Sequence, residues 1–387
     1  LAMRIGFDAT VLSPGTRHTG MGQYAENLLR VLPGLAPDDE FVLYGSPPAA
    51  GFPPAARNVT WHEVGRLPIG RLSTLVGHLV LVPRLARRHR LDLLHVPAVH
   101  TRASLPPVPR RLPCPLVVTL HDLIPMNYYG RADKPLPWRL RTYYRWNLNS
   151  ALKAQTIITV SENSRSEILD TLHVPTGRVV AIHNGIDQSW REGSEEPGPD
   201  FQLPDGPYVL FGGSFEPRKN LSRLLRAFDQ ACRDGLSNRL VMIVDAGSAH
   251  ADPVMDLARS LPCAGRLTFL SGLDEPSIRA VYRSADAFVF PTLSEGFGLP
   301  PLQALACGVP VIASDIPVMR EVLGDAASYF DPYSVEQMAH ALASVTGDAS
   351  LRRGLAAAGP ARASAVSWEA AGRATLEVYR SVVAVRT

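Results

Sequence analysis

Short apolar runs and amphipathic segments alternate along the whole chain. The runs are typical of strands buried on both faces of a parallel sheet, and the segments repeat apolar residues at helical spacing. In the first half this pattern predicts strands at residues 4–11, 41–44, 91–96, 116–120, 156–160 and 179–182, and helices at 22–32, 72–90, 139–154 and 161–172. The alternation predicts a parallel sheet that helices cover on both faces.

A polar segment rich in proline and glycine, residues 188–206, precedes a second α/β series. That series contains predicted strands at 208–212, 239–244, 267–270, 287–291 and 309–313, helices at 221–232 and 275–285, and a final amphipathic helix at 368–385. We therefore predict two doubly wound domains, at residues 1–190 and 206–367, joined by a linker at 191–205. A cleft between two such domains is a preferred place for a ligand.

The composition is that of a globular protein, with 46% hydrophobic and 19% charged residues among 387. No apolar run approaches the ~20 residues of a membrane-spanning helix. The four cysteines are scattered and lack CxxC spacing, and no spacing of His, Cys and Asp predicts a metal. These features predict a cytoplasmic protein with reduced cysteines and no metal site.

The net charge of +3 conceals an asymmetry. Residues 1–190 hold 21 Lys and Arg against 13 Asp and Glu, a net +8, and residues 191–387 hold 18 against 23, a net −5. Seven arginines lie between Arg84 and Arg111, with the single acid Asp92. Such a segment can bind anionic lipid or an anionic substrate, or it can be a solvated helix face. Because no nucleic-acid-binding motif accompanies it, we expect no nucleic acid partner.

The segment SEGFGLPPLQAL, residues 294–305, follows the predicted strand at 287–291. Its two prolines favour the first turn of a helix. Glu295 therefore stands on a glycine-rich loop between the C-terminal end of a strand and a helix N-terminus. Ligands of open α/β sheets bind at such strand ends, and helix N-termini favour anions. The carboxylate either caps the helix or binds a ligand, and the local pattern leaves both alternatives open.

A second loop, GGSFEPRKN at residues 212–220, follows the first strand of the second domain. Arg218 and Lys219 precede Asn220, which we predict to be an N-cap. Cations oppose a helix dipole by about 0.3–1 kcal/mol each, so this placement favours an anion between them and the helix. With the glycine amides they would suit a diphosphate. Two solvated charges are the alternative.

Two features of the first domain are candidates for ligand contacts. Gly20 and Gly22 belong to a GxGxxA pattern that follows its strand too distantly for a dinucleotide fingerprint. We predict instead a flexible loop that lets a backbone approach a ligand. His121 ends the predicted strand at 116–120, where it could donate to a sugar hydroxyl or accept a proton, or be structural.

In combination these motifs resemble the retaining glycosyltransferases of family 4, and among them the branch of bacterial mannosyltransferases of surface-polysaccharide synthesis. The matching segments, in chain order, are TGMGQY at 19–24, HDLIP at 121–125, TVSE at 159–162, HNGID at 183–187, GGS through PRKNL at 212–221, and residues 294–308. The resemblance extends over nearly the whole chain.

The resemblance implies the GT-B fold, in which two Rossmann-like domains face a central cleft and the second holds the nucleotide-sugar. It implies that Arg218 and Lys219 bind the diphosphate, that Glu295 takes hydroxyls of the donor sugar, and that His121 contacts the transferred sugar. The further donor-binding positions that it implies are Gly20, Gly22, Gly213, Ser214, Gly272, Gly296, Phe297, Gly298, Leu299 and Gln303. It also implies that the last helix, residues 368–387, packs back on the first domain, and that neither a metal nor another cofactor is needed.

At one position the chain departs from the family pattern. Eight residues after Glu295 the family has a second glutamate, commonly on the nucleotide ribose, and here that position is Gln303. A glutamine can still hydrogen-bond a hydroxyl, but charge-assisted bonds are roughly twice as strong. We therefore predict an active transferase with a weakened or altered ribose contact.

The predicted function is retaining transfer of a hexose from a nucleoside-diphosphate sugar to a hydroxyl of a glycan or lipid-linked acceptor. The branch resemblance indicates mannose from GDP-mannose. The alternatives are a UDP-sugar donor, a GT-B nucleotide-sugar 2-epimerase and a non-catalytic sugar-nucleotide-binding protein. Besides the donor and the acceptor, we expect peripheral contact between the basic first half and the anionic inner face of the cell membrane.

Overall fold

The computed structural model describes residues 2–13, 16–17, 19–45, 52, 56–64, 77–99, 107–109, 111–129, 137–191, 197–198, 201–245, 247 and 250–385. The chain divides into two compact units, one formed by Leu1–Gly185 with Ser367–Thr387 and the other by Ile186–Val366. Among the helices of the described ranges, none combines the length and the apolar character that a bilayer crossing requires.

The described part of the first unit contains a parallel sheet of seven strands in the order β3-β2-β1-β4-β5-β6-β7. Its strands are β1 (Arg4–Asp8), β2 (Glu40–Tyr44), β3 (Val59–His62), β4 (Leu93–Val96), β5 (Leu116–Thr119), β6 (Thr156–Thr159) and β7 (Val179–Ala181). The helices that connect them are α1 (Gly20–Leu35), α2 (Val82–Arg88), α3 (Ile124–Asn127), α4 (Trp138–Ala151) and α5 (Glu162–Leu172). The strand order reverses between β1 and β4, so the sheet is doubly wound.

The described part of the second unit contains a parallel sheet of six strands in the order β10-β9-β8-β11-β12-β13. Its strands are β8 (Tyr208–Gly212), β9 (Arg239–Ile243), β10 (Leu267–Leu270), β11 (Ala287–Phe290), β12 (Val311–Ser314) and β13 (Ala327–Phe330). Its helices are α6 (Leu221–Arg233), α7 (Ala251–Ser260), α8 (Glu275–Arg283), α9 (Leu299–Ala306), α10 (Pro317–Leu323), α11 (Val335–Gly347) and α12 (Ala349–Ser364). Its central strands β8 and β11 are buried along their whole length.

The last helix, α13 (Trp368–Ala384), returns to the first unit and packs on α1 and β4. Side chains alternate across a strand, so Leu94 and His95 of β4 point to opposite faces of the sheet. Leu94 joins a buried cluster with Val82 of α2 and Tyr144 of α4. On the other face, Nδ1 of His95 lies 2.6 Å from the hydroxyl of Tyr379 on α13. Helices α2 and α4 therefore cover one face of the first sheet, and α13 covers the other.

The two parallel sheets confirm the predicted α/β class, and Ser161 caps α5 by accepting from the amide of Ser164. Strand β3 was not predicted, because it is a short edge strand without a buried apolar run. The predicted helix at 72–90 lies outside the described residues up to residue 76, and residues 77–88 are helical.

The first unit ends at Gly185, five positions before the predicted domain boundary. The reason is a turn at Gln188–Trp190 that packs on the second unit. The ring of Trp190 lies 5.1 Å from that of Tyr282, and Arg283 donates to the carbonyl of Ser189 at 2.7 Å. Part of the predicted linker, residues 192–196 and 199–200, lies outside the described residues.

Candidate active site

The two loops that the sequence analysis singled out in the second domain follow neighbouring strands. Strands β8 and β11 pair directly, and the order of the sheet reverses between them. The carboxyl ends of the strands at such a switch point form the crevice in which α/β proteins bind ligands. The loop after β8 carries Arg218 and Lys219, and the loop after β11 carries Glu295. The sheet thus brings these three residues together.

The first of these loops is fixed to the second through Asn220. Residues Pro217–Lys219 form a single tight turn, and Asn220 then adopts a left-handed backbone with φ of 62°. Its side-chain amide donates to the carbonyls of Pro291 at 3.0 Å and Pro332 at 2.7 Å. Asn220 precedes α6 as predicted, but its side chain does not cap that helix. It holds the cationic loop against the end of β11 instead.

The carboxylate of Glu295 is the centre of the cluster. Its Oε1 atom accepts from Nζ of Lys219 at 2.5 Å, from Nη1 of Arg218 at 2.6 Å and from the hydroxyl of Thr292 at 2.9 Å. No hydrogen bond from a described residue reaches Oε2, the other oxygen of this carboxylate. Glu295 does not cap a helix, because α9 begins after Gly298 without a side-chain cap. Of the two alternatives left open by the sequence, the geometry therefore favours a ligand-facing carboxylate.

Burial and charge act in opposite directions on this cluster. Burial alone would raise the pKa of Glu295, but the charges of Arg218 and Lys219 outweigh it and hold that pKa at about 2. Burial lowers the pKa of Lys219, against the opposing charge of Glu295. The ammonium group of Lys219 also lies 4.7 Å from the centre of the Phe290 ring, a cation–π contact. The carboxylate is therefore ionised and can accept hydrogen bonds at any physiological pH.

The glycine-rich segment after Glu295 leads directly into α9. Gly298 has φ of +100°, and a Cβ at this position would lie 2.5 Å from Cε of Met319. Helix α9 starts at Leu299, and Pro300 and Pro301 follow within its first turn. The first amides of a helix have no acceptor inside the helix. No described group accepts from the amides of Gly298 and Leu299, so these amides can donate to an anion.

The other predicted donor-binding residues of the second domain lie around these loops. Gly213 and Ser214 follow β8 directly, and the Ser214 hydroxyl has no hydrogen-bond partner among the described residues. Gln303 is half-buried on α9, and its side-chain amide likewise makes no hydrogen bond within the described ranges. Gly272 is exposed after β10, with φ of +70°. Gly296 and Phe297 are buried in the segment between Glu295 and Gly298.

In the first domain, His121 follows the end of β5 and is held in one orientation. Its Nε2 atom lies 2.9 Å from the carbonyl oxygen of Pro97, which can only accept, so Nε2 carries the proton. The ring meets that of Tyr24 edge-on at 4.8 Å. Desolvation lowers the pKa of His121 to about 4, so the ring is neutral at pH 7. A neutral ring with Nε2 protonated presents Nδ1 as an acceptor for a hydroxyl.

Gly20 and Gly22 do not lie in a flexible loop, as the sequence had indicated, but in the first turn of α1. Thr19 caps this helix by accepting from the amide of Gly22 at 3.3 Å. A Cβ on Gly22 would overlap the carbonyl oxygens of Thr16 and Arg17, so packing within the protein requires this glycine. A Cβ on Gly20 would meet open space. Gly20 is therefore the position of the pair at which a ligand could approach.

Models of glycosyltransferase families match both halves of the chain. The family model of glycosyl transferases group 1 matches residues 198–362, and that of glycosyltransferase family 4 matches residues 18–190. The O-antigen chain mannosyltransferase B of Escherichia coli is 34% identical over 271 residues, which cover 68% of this chain and 70% of that protein. The chain belongs to glycosyltransferase family 4. It is accordingly a transferase, as the resemblance of its motifs implied.

Another relative of this family 4 glycosyltransferase is much longer. The serotype-specific mannosyltransferase WbdA of Escherichia coli is 27% identical over 271 residues, which cover 66% of this chain and 32% of that protein. The chain thus spans about a third of WbdA.

Solved structures confirm the GT-B fold. The sucrose-phosphate synthase of Thermosynechococcus elongatus has a TM-score of 0.77 at 18% identity over 99% of this chain and 100% of that one. Anabaena HepE in complex with UDP-glucose has a TM-score of 0.72 at 17% identity over 98% and 100%.

Two residues of the cluster around Glu295 were not predicted from the sequence. Thr292 donates to Glu295, and the carboxylate of Glu216 accepts from Nε of Arg218 at 2.7 Å. With Glu216 included, two carboxylates balance the charges of Arg218 and Lys219. The signal for Glu216 was its place two positions before Arg218 in the same loop. Thr292 gave no signal, because a single threonine after a strand is common.

Proposed function

We propose that this glycosyltransferase moves mannose from GDP-mannose, with retention of the anomeric configuration, to a hydroxyl of a glycan or lipid-linked acceptor. Support for the sugar comes from the relatives, which are named as mannosyltransferases of O-antigen chains. Support for a nucleotide-sugar donor comes from a neighbour of the same fold that is in complex with UDP-glucose.

The observation that carries the proposal is the contact of Lys219 and Arg218 with one oxygen of Glu295. In this proposal Oε2 of Glu295 accepts hydrogen bonds from hydroxyls of the donor sugar. Arg218 and Lys219 face the diphosphate. Glu216 is the most exposed member of the cluster, at 39% of its side chain, against 8% for Lys219. Because exposed ion pairs contribute about 0–1 kcal/mol, a diphosphate can displace Glu216 from Arg218 at small cost.

The leaving nucleoside diphosphate develops negative charge as the glycosidic bond breaks. Fixed donors aimed at developing charge are the strongest form of transition-state stabilisation in a water-excluded site. Arg218, Lys219 and the amides of Gly298 and Leu299 supply such donors, so we propose that the reaction needs no metal ion. Among the described residues, no cluster of three His, Cys, Asp or Glu side chains has the arrangement of a metal site.

The stereochemical course follows from the choice of nucleophile. The carboxylate of Glu295 is held by Lys219, Arg218 and Thr292, and in this proposal it binds hydroxyls instead of attacking the anomeric carbon. We therefore propose the same-face internal-return route, in which the acceptor hydroxyl attacks from the side of the departing diphosphate. In the same proposal, Nδ1 of His121 accepts a hydrogen bond from a hydroxyl of the transferred sugar.

A panel of donors tests the proposal. Thermal shift and nucleotide release would be measured with GDP-mannose, UDP-glucose and ADP-glucose, with and without a mannose-terminated acceptor, and the anomeric configuration of the product would be read by NMR. We expect the largest shift and acceptor-dependent release of GDP with GDP-mannose, and an α-linked product. A preference for UDP-glucose would show that the proposed donor is wrong, but the protein would still be a glycosyltransferase.

Two further outcomes separate the remaining alternatives. A nucleotide-sugar 2-epimerase would invert the configuration at C2 of the sugar and would glycosylate no acceptor hydroxyl. A non-catalytic binding protein would show a thermal shift without nucleotide release from any donor. Either result would overturn the proposed transfer.

A further inference from the structure

A chain of buried polar groups lies on the face of the first sheet that α13 covers. Nε2 of His95 on β4 lies 2.9 Å from the hydroxyl oxygen of Thr119 on β5, which in turn lies 3.0 Å from the hydroxyl oxygen of Tyr24 on α1. On the other side of the imidazole, Nδ1 of His95 lies 2.6 Å from the hydroxyl oxygen of Tyr379 on α13. Each of these four residues is at most 1% exposed. We call them the buried network.

Packing alone does not require the buried network. A buried hydrogen-bonded pair can be replaced by apolar groups of the same shape with little change in stability. What the hydrogen bonds add is direction, because a connected polar network in the interior specifies one arrangement of its members. Desolvation lowers the pKa of His95 to about 3, so its ring is neutral, with one donor nitrogen and one acceptor nitrogen. Both nitrogens have partners, and the ring is therefore fixed at both edges.

Tyr24 joins the buried network to His121. Leu120 belongs to the cluster on the opposite face of the sheet, so its neighbours Thr119 and His121 share the face that Tyr24 covers. The hydroxyl of Tyr24 contacts Thr119, and its ring meets the imidazole of His121 with a centroid distance of 4.8 Å and an angle of 86° between the planes. One tyrosine thus bridges the last residue of β5 and the histidine that follows this strand.

The described residues give the imidazole of His121 one hydrogen bond, from Nε2–H to the carbonyl of Pro97. A second bond, from the hydroxyl of Thr159 at 3.4 Å, reaches only the backbone carbonyl of His121. A single hydrogen bond from the side chain leaves a ring able to pivot about that bond. The edge-on contact with Tyr24 opposes this rotation, because such aromatic pairs have a preferred geometry.

Tyr24 also lies close to the turn of α1 that Gly20 leaves open. It follows Gly20 by about one helical turn, and a Cβ on Gly20 would meet open space. The ring of Trp368, at the start of α13, lies 6.1 Å from that of Tyr24. Helix α13 therefore supports Tyr24 twice, through the ring of Trp368 and through the hydroxyl of Tyr379 at the far end of the buried network.

We propose that Tyr24 is a positioning residue for His121. The buried network fixes the hydroxyl end of Tyr24, and its ring keeps the imidazole in the one orientation in which Nδ1 can accept from a hydroxyl of the transferred sugar. This inference rests on the proposed function for the role of His121. Tyr24 itself touches neither donor nor acceptor, and its effect is on the rate, since a misplacement of about 1 Å near the reacting atoms can cost about 100-fold.

Imidazole ¹⁵N spectra of the full chain, recorded without donor or acceptor, test this positioning independently of glycosyl transfer. In Tyr24→Leu the ring is removed, and we expect both tautomers of His121 at pH 7 in place of the Nε2-protonated one. Tyr24→Phe keeps the ring but releases it from Thr119, and we expect the Nε2 proton to exchange with solvent severalfold faster. Tyr208 of the second unit is the matched control, because it is equally buried and its hydroxyl donates to the carbonyl of Val281 at 2.7 Å. Tyr208→Leu and Tyr208→Phe should leave the His121 signals unchanged.

Steady-state kinetics with GDP-mannose give a second readout. Tyr24→Leu should lower kcat at least about tenfold, since a displaced contact acts on the reacting atoms. Tyr24→Phe, and Tyr379→Phe at the other end of the buried network, should lower it about threefold. The KM for GDP-mannose should stay within about twofold in all three variants, because the proposed contacts of the diphosphate lie in the second unit. Thermal unfolding of each variant gives the folded fraction by which kcat is corrected.

A single Nε2-protonated tautomer in folded Tyr24→Leu, or the same change of tautomer in Tyr208→Leu, would overturn the proposal. If Tyr24→Leu does not fold, Tyr24→Phe decides, and unchanged exchange of the Nε2 proton would overturn it. A wild type that transfers no sugar from any nucleotide-sugar donor would contradict the proposed function instead. The ¹⁵N comparison would then still decide whether Tyr24 positions His121.

Discussion

The Nζ atom of Lys219 lies 2.5 Å from Oε1 of Glu295, although 76 positions separate the two residues in the chain. The contact joins the loop after β8 to the loop after β11 at the place where the order of the second sheet reverses. Arg218 and Thr292 meet the same oxygen. One carboxylate oxygen thus holds two loops together, and the other remains available for a ligand.

The first prediction concerns the stability that this contact provides. Glu295→Gln keeps the shape of the side chain but leaves Lys219 and Arg218 without their shared counter-charge. Breaking a buried ion pair typically costs about 3–5 kcal/mol, so we expect a loss of that order in the free energy of unfolding. Denaturant titration measures it. Asp315→Asn breaks an exposed pair with Arg320 and should cost at most about 1 kcal/mol.

The same variant should change the response to acid. Because the folded pKa of Glu295 is about 2 and its ordinary value is 4.5, its contribution to stability is fully present above pH 4.5 and is lost as the pH falls from 4.5 to about 2. The difference in unfolding free energy between wild type and Glu295→Gln should therefore shrink over that range. A difference that stayed constant down to pH 2 would show that the carboxylate is not stabilised by the two cations.

The second prediction concerns the protonation of His121. With a folded pKa of about 4, its ring should remain neutral, with the proton on Nε2, from pH 5 to pH 8. The unfolded chain takes up this proton near pH 6.5, so the stability that His121 contributes is lost as the pH falls from 6.5 to about 4. Imidazole ¹⁵N chemical shifts measure both the tautomer and the midpoint. Titration with a midpoint near 6.5 would contradict the enclosed, Pro97-bound ring.

A third prediction concerns Gln303. Its amide is half-buried on α9 and makes no hydrogen bond to another described residue, as expected of a group that meets a ligand. Gln303→Glu would turn a neutral hydrogen bond to the ribose into a charge-assisted one. We expect GDP to bind several times more tightly by calorimetry, since such bonds differ by about 1 kcal/mol. Unchanged binding would remove Gln303 from the nucleotide site.

A fourth prediction concerns the backbone of Gly298. Gly298→Ala forces a Cβ onto a residue with φ of +100° and against Met319, and we expect a cost of about 1–3 kcal/mol. Because the same change moves the amides of Gly298 and Leu299, donor binding should weaken together with stability. Gly354→Ala is the control: it lies inside α12, where a Cβ meets nothing within 4 Å, and should stabilise by up to about 1 kcal/mol.

The class of fold and the residues of the central cluster were predictable because both rest on local patterns. Apolar runs indicated the buried strands, and two cations before a helix, together with a carboxylate after a strand, indicated the two loops of the site. What the sequence could not indicate is which partner each polar group selects. Asparagine is a common helix-capping residue, and Asn220 stands directly before a helix. The fold, however, brings the carbonyls of Pro291 and Pro332 close to Asn220, and its side-chain amide donates to them instead.

Local sequence patterns could not predict the role of the glycines either. Gly22 looked like a residue that opens the backbone to a ligand, and the structure shows that the carbonyls of Thr16 and Arg17 occupy the space of its missing side chain. Likewise, the sequence located the excess of positive charge in the segment between Arg84 and Arg111. The structure adds α4, whose arginines lie beyond that segment in the chain but in the same layer.

The return of α13 to the first unit makes the second unit an uninterrupted insertion. Residues 186–366 form a continuous segment, whereas the first unit is assembled from both ends of the chain. Gly185 and Trp368 lie against each other, and Tyr379 completes the buried contacts of His95. During synthesis the second domain therefore has all of its residues before the first domain has its last helix. The first unit, although begun first, is completed after the second, and removal of residues 367–385 should unfold the first unit while leaving the second intact.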